Sequence, residues 1–259
     1  MKVKEFLEEM NRLAPFDSAL EWDNVGLLLG RTDSRIEGIF IALDISDNAV
    51  KKAVENKCQL ILTHHPVIFS PMRRIDESTP AGSNLLYMAE HKINCIAMHT
   101  NFDVHIMGDI AAKKLGLPHW EVLDITETAN KPRGIGIISK LDKTVELSAM
   151  ADNVKRSFNL PFVAFYGNED DRINTVAMVP GSGKDEIGLA AKRGADVIIT
   201  GDVPYHYAMD SRALNLDIID AGHYGIEHIF IEYMGEYIRN KFKKINVVCE
   251  KIEFPRRAL

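Results

Sequence analysis

Apolar residues at Val3, Phe6, Leu7, Met10 and Leu13 recur at the spacing of one helix face, which predicts an amphipathic helix over 2–13. The segment EWDNVGLLLG (21–30) follows, with an Asn-Val-Gly turn and a short apolar run. The pattern then changes to unbroken apolar runs of strand length, IEGIFIALD (36–44), CQLILT (58–63) and NCIAM (94–98), which read as buried strands. Between them lie a helix through DNAVKKAVENK, with Ser46 and Asp47 as N-cap residues, and a second helix at 84–91 after the polar stretch SPMRRIDESTPAGS (70–83).

The second half repeats the plan. INTVAMV (173–179), ADVIIT (195–200) and LDIIDA (216–221) read as strands. GSGKDE opens a helix through IGLAAKRG, and YHYAMDSRAL gives another. ILTHH (61–65) lies over IITGD (198–202) at an offset of 137, and His99 lies over His223 at an offset of 124, which also lays Asp103 over Glu227. The 13-residue difference is about the size of the polar loop in the first half. The expected fold class is therefore α/β, two similar lobes made by internal duplication, each with a mixed, largely parallel sheet. The first lobe is expected over 1–118 and the second over 171–259. A connecting segment at 119–170 carries strands at 134–139 and 162–167 and a helix at 144–157. A last helix at 225–242 and the strand INVVC (245–249) close the chain.

Composition narrows the setting. With 259 residues, 46% hydrophobic, the chain can bury a core without disulfides. Cys58, Cys95 and Cys249 are far apart and form no CxxC pair, so free thiols in a reducing compartment, the cytoplasm, are expected. MKVKEFLEEMNRLAP is too charged for a signal peptide, and no apolar stretch approaches the ~18 residues of a membrane span. A formal net charge of −6 argues against a broad nucleic-acid footprint.

The chemistry gathers where strands end, which is where open α/β sheets bind ligands. The run at 58–63 delivers Thr63, His64 and His65, and that at 94–98 delivers His99 and Asp103. The run at 195–200 delivers Asp202 with His206 nearby, and that at 216–221 delivers His223 and Glu227. Imidazoles and carboxylates grouped in this way suit zinc, iron, manganese or nickel. Asp103 follows His99 by four residues and Glu227 follows His223 by four, an interval that places both groups on one side of a helical turn. Other motifs fail. There is no HExxH, and GSGK (181–184) is not a phosphate loop, because Met178 stands where its first glycine belongs and Asp185 replaces the Ser or Thr. That stretch reads as a tight turn into a helix. Trp22 reads as a core or interface anchor.

Five blocks, WDNVGLLLG, LTHHPVIF, HTNFD, GDVPYHYAMD and DAGHYGIE, occur in this order. Together they resemble the signature of the Nif-three-like dinuclear metal-centre, hexameric protein family, whose members carry the label GTP cyclohydrolase 1 type 2 homologue. The resemblance runs from about residue 20 to 240, and the chain is too short for the inserted middle domain of longer members. It implies two similar lobes around a two-metal site held by His64, His65, Asp103, His223 and Glu227. Glu227 would bridge both ions, His65 and Asp103 would complete one, and His64 and His223 the other. Thr63, Asp44 and His99 would lie close by. It also implies a homohexamer, a trimer of dimers.

The activity expected from such a site is metal-dependent hydrolysis of a small polar substrate, with GTP ring opening as the version the family label suggests and His99 or His206 moving protons. The alternatives are a non-enzymatic metal store, sensor or scaffold and, third, a phosphoesterase or a ring acting on nucleic acid.

Overall fold

The computed structural model describes residues 1–128 and 131–257. They form two compact units. Met1–Phe102 with Phe230–Ile252 make the first, and Asp103–Ile229 with the tail from Glu253 make the second. The boundaries expected at 118 and 170 both fall inside the second unit.

In the first unit, helix α1 (Val3–Leu13) precedes strands β1 (Gly26–Leu29) and β2 (Gly38–Ala42). Helix α2 (Asp47–Glu55), strand β3 (Leu60–Thr63), helix α3 (Pro80–Glu90) and strand β4 (Asn94–Ala97) follow, then the single turn α4 (Thr100–Phe102). The chain later returns as α10 (Ile229–Lys241) and β11 (Asn246–Cys249). The sheet order is β1-β4-β3-β2-β11, with β1 antiparallel to β4 and every other pair parallel. Ser46 caps α2 as expected, its hydroxyl accepting from the Ala49 amide. Helix α3 starts four residues before the expected position because Thr79 caps it and Pro80 fills its first turn, where a missing N–H costs nothing. Phe40, Ile61 and Cys95 from the strands pack on Val50, Leu85 and Met88 from the helices.

The second unit opens with a π-turn at Asp103–Met107 and helix α5 (Gly108–Leu115), which ends on Gly116 at φ +76°. Strands β5 (Glu121–Glu127) and β6 (Arg133–Glu146), helix α6 (Leu147–Ser157) and strand β7 (Ala164–Tyr166) follow. Then come β8 (Arg172–Met178), α7 (Ile187–Lys192), β9 (Val197–Thr200), α8 (Tyr205–Ala213), β10 (Asp217–Asp220) and α9 (His223–Glu227). The sheet order is β5-β6-β8-β9-β10-β7, with β8, β9 and β10 parallel and the rest antiparallel. Several features differ from expectation, among them the last helix, which was expected as one over 225–242 and is two, His223–Glu227 and Ile229–Lys241. Strand β5 was not foreseen, since only Leu123 in it is buried. Residues 144–146 belong to β6 and not to the following helix, because Val145 and Glu146 pair with Ile173 and Arg172 beyond an irregularity in the ladder.

The duplication is visible in the connectivity. The path β2–α2–β3–α3–β4, with antiparallel β1 beside β4, is matched by β8–α7–β9–α8–β10, with antiparallel β7 beside β10. The offset of 137 holds for β3 and β9. For β4 and β10 the registers, Thr63 opposite Ala97 and Thr200 opposite Asp220, give 123 and not 124. The extra residue lies in the turn after β10, where Gly222 adopts φ +73°. Among the described residues no helix is long and apolar enough to cross a membrane.

Candidate metal centre

Strand β3 stops at Thr63, so His64 and His65 leave it before strand alternation can send them to opposite faces. The Thr63 hydroxyl donates to the His65 carbonyl at 2.8 Å, and the His65 amide donates to the Leu43 carbonyl, which holds the bend. His64 is fully buried, and His65 and His99 are partly exposed, their side chains at 21% and 13%. Their ring centroids lie 5.0–5.6 Å apart, and one ring nitrogen from each falls within 4.8 Å of the others.

Each of these three rings is tied down through Nδ1. His64 Nδ1 donates to the Met98 carbonyl at 2.8 Å, His65 Nδ1 to Asp44 at 2.7 Å and His99 Nδ1 to Asp23 at 2.9 Å. These acceptors have no proton to give, so in the neutral rings Nδ1 carries the hydrogen and Nε2 the lone pair. That is the arrangement of a metal-ligating histidine, with the second ring nitrogen anchored to a carboxylate or carbonyl. Asp23 also accepts from the Thr100 amide and hydroxyl. Burial pushes its carboxyl up, but the hydrogen bonds from His99 and Thr100 outweigh burial and hold it at about 2.

The second unit brings another donor pair together. The turn at Gly222 feeds α9, which places His223 and Glu227 on one side, Nε2 to Oε2 at 3.0 Å. Glu227 is buried at 3% exposure, and Asp202 stands 3.9 Å from the other ring nitrogen of His223. The GSG turn at 181–183 shelters this pair. Thr200 holds the turn, its hydroxyl donating to the Gly181 carbonyl and accepting from the Gly183 amide. A Cβ on Gly181 would lie 2.3 Å from Glu227 Oε1 and 3.5 Å from His223 Nε2, so the carboxylate sits against bare backbone. GSGK is thus the cradle of a carboxylate, and the six-residue α7 beyond it is too short to serve an anion.

The remaining expected residues divide. Asp103 begins the π-turn, an irregularity frequent at functional sites. His206 is exposed on α8 with its ring against Tyr205, and among the described residues it joins neither donor set. Trp22 is not in the core. It is 57% exposed, as is Phe69, and both rings lie about 6 Å from that of His99. The Asn24 side chain donates to the Ile68 carbonyl and fixes the two loops together. Sequence reasoning placed Asp44 near the metals but missed the partner of His99 and the Gly181 cradle, since Asp23–His99 and Gly181–Glu227 are contacts between segments 76 and 46 residues apart.

The donor chemistry fits divalent metal: imidazoles held through Nδ1, and a buried carboxylate beside an imidazole. Comparison with known proteins agrees in family. The sequence pattern of Duf34/NIF3 (NGG1p interacting factor 3) matches residues 1–256. A GTP cyclohydrolase 1 type 2 homolog of Clostridium acetobutylicum is 33% identical over 249 residues, covering 95% of this chain and 93% of that protein. Among solved structures, Staphylococcus aureus protein SA1388 superposes with a TM-score of 0.91 at 27% identity, covering 100% of this chain and 99% of the other. Reduced HcgD from Methanocaldococcus jannaschii gives 0.83 at 26% identity, covering 97% and 98%. With the pattern spanning nearly every residue and the fold shared end to end, this chain belongs to the Duf34/NIF3 family.

Proposed function

We propose that the chain binds two divalent metal ions through His64, His65, Asp103, His223 and Glu227 and, so loaded, hydrolyses a small polar substrate. The observation that carries the metal reading is the anchoring of His64, His65 and His99 through Nδ1, which readies three Nε2 lone pairs beyond the ends of the neighbouring strands β3 and β4. Bound ions would polarise a substrate carbonyl, imine or phosphoryl oxygen and make water a better nucleophile near neutral pH. Asp23 fixes the His99 ring so that Nε2 can accept or return a proton, and Trp22 and Phe69 border that ring. Relatives named GTP cyclohydrolase 1 type 2 homolog make GTP the first substrate to assay. The family resemblance supports a homohexamer built as a trimer of dimers. Free Cys58, Cys95 and Cys249 suit the reducing cytoplasm.

The test is elemental analysis of natively purified protein, followed by assay of that form on GTP and on a panel of amides, imines and phosphoesters. Two equivalents of metal per chain, lost in His64→Ala and Glu227→Ala together with turnover, are expected. Metal near zero that does not return on reconstitution overturns the proposal. Full metal without turnover on any substrate favours the store or scaffold instead, and light scattering that reports a monomer removes the hexamer.

A further inference from the structure

The second unit holds a cavity of about 360 Å³, and of its lining residues only Asp103 belongs to the proposed metal set. That size lies within the range of small-molecule sites, which begin near ~300 Å³. Its walls are the π-turn at 103–107, the start of α5 and the β5–β6 hairpin. Two kinds of surface meet there. Val122, Ile125 and Ile137 give an aliphatic wall, and the indole of Trp120 stands beside them. Trp120 is held in place, because its Nε1 donates to Asp109 at 2.7 Å.

The charges in the wall are unevenly answered. Asp109 accepts from Trp120, and Glu121 accepts from Arg193, whose other contacts are the carbonyls of Val122 and Leu123. Arg133 donates from Nη1 to the His105 carbonyl. That bond uses one of its five donors. Glu127, opposite Arg133 in the β5–β6 ladder, has its carboxylate 3.7 Å from His105 Nε2, and among the described residues neither Arg133 nor the neighbouring Lys131 makes an ion pair; both line the cavity, as does Asp103. A planar guanidinium with spare donors matches a carboxylate, and an immobilised indole matches an aromatic ring.

We propose that this cavity binds a small aromatic carboxylate, its ring against Trp120 and Ile125 and its charge met by Arg133 and Lys131. The chain has two tryptophans, Trp22 and Trp120, so Trp22→Phe leaves Trp120 as the sole indole reporter in the full-length protein. Titration with 4-nitrobenzoate is expected to quench its emission saturably, and the uncharged 4-nitrobenzamide to bind at least tenfold more weakly. Arg133→Gln should weaken the acid at least tenfold and leave the amide unchanged. Ile125→Glu provides a second arm should Arg133→Gln unfold the hairpin. Ile125 is 48% exposed, so a charge there is tolerated, and it should repel the acid alone. Binding should persist in His64→Ala, which separates this site from the metal centre. Quenching that does not saturate, equal affinity for acid and amide, or indifference to both Arg133→Gln and Ile125→Glu would overturn the proposal. So would a failure to bind together with a change in sedimentation in Ile125→Glu, which would show the cavity covered by a second copy of the chain.

Discussion

His99 Nδ1 donates to Asp23 Oδ1 across 2.9 Å, and Asp23 is a fully buried carboxylate that also collects the amide and hydroxyl of Thr100. The Asn24 amide donates to it as well, so removing this acceptor leaves four donors without it. Asp23→Ala is therefore expected to lower the unfolding free energy by about 2–4 kcal/mol. Part of that loss should vanish when His99 is also Ala, with a coupling of about 1–2 kcal/mol in a double-mutant cycle read by urea denaturation. Full additivity of the two substitutions would show that the pair acts independently.

Gly181 cannot carry a side chain without moving Glu227. Its φ is +73°, and a Cβ would stand 2.3 Å from Oε1. Gly181→Ala should cost about 1–2 kcal/mol in backbone strain and displacement and weaken metal binding at least tenfold in a chelator competition. Gly188→Ala, in α7 with nothing within 4 Å of the added carbon, is the matched control and should leave metal binding unchanged.

Asp217 opens β10 inside a pair of carboxylates that share Arg212, with Asp171 at 3.3 Å from the guanidinium. Burial and then the charge of Asp171 raise its carboxyl to about 6 from 3.8, against the pull of Arg212. Between those two values the folded protein holds a proton that the unfolded chain has lost, so stability falls as pH rises from about 4 to 6. Asp217→Asn should flatten this slope and raise stability by about 1–2 kcal/mol at pH 7.5. Thermal melts across pH 4–8 measure both effects, and an unchanged slope would remove Asp217 as its source.

Phe230 is fully buried, with its ring 5.3 Å from that of His64 and 4.9 Å from that of Phe102. Truncation to Ala leaves a void behind the His64 ring. A loss of about 3–5 kcal/mol is expected in denaturant unfolding, with weaker metal retention because the His64 rotamer loses its packing. Phe230→Leu should recover most of both.

Much of the architecture was legible because the buried parallel strands are short unbroken apolar runs, and because both polar strand ends survive in each copy of the repeat. The strands within ILTHH and IITGD end on Thr63 and Thr200; the Thr63 hydroxyl shapes the turn that follows it, and the Thr200 hydroxyl holds the 181–183 turn beyond the neighbouring strand β8. Strand β5 was missed because an edge strand is held by backbone hydrogen bonds to β6 and shows little hydrophobic signal of its own. The long reach of β6 was missed because register with β8, not propensity, decides where α6 begins. The histidines that gather beyond β3 and β4 could be named from the strand ends. Their anchors could not all be named, since Asp23 and Gly181 reach their partners only through the tertiary fold.

The return of the chain to complete its first sheet has a consequence during synthesis. β2 lies between β3 and β11, and β11 is made some 200 residues after β2. While the ribosome is still translating, β2 presents an open edge, and the ring of Phe102 waits for Phe230. The residues from Asp103 to Ile229, by contrast, are contiguous in the chain and can collapse as they emerge. The first unit to enter translation therefore cannot complete its sheet until β11 is made, and β2 stays an open edge until then.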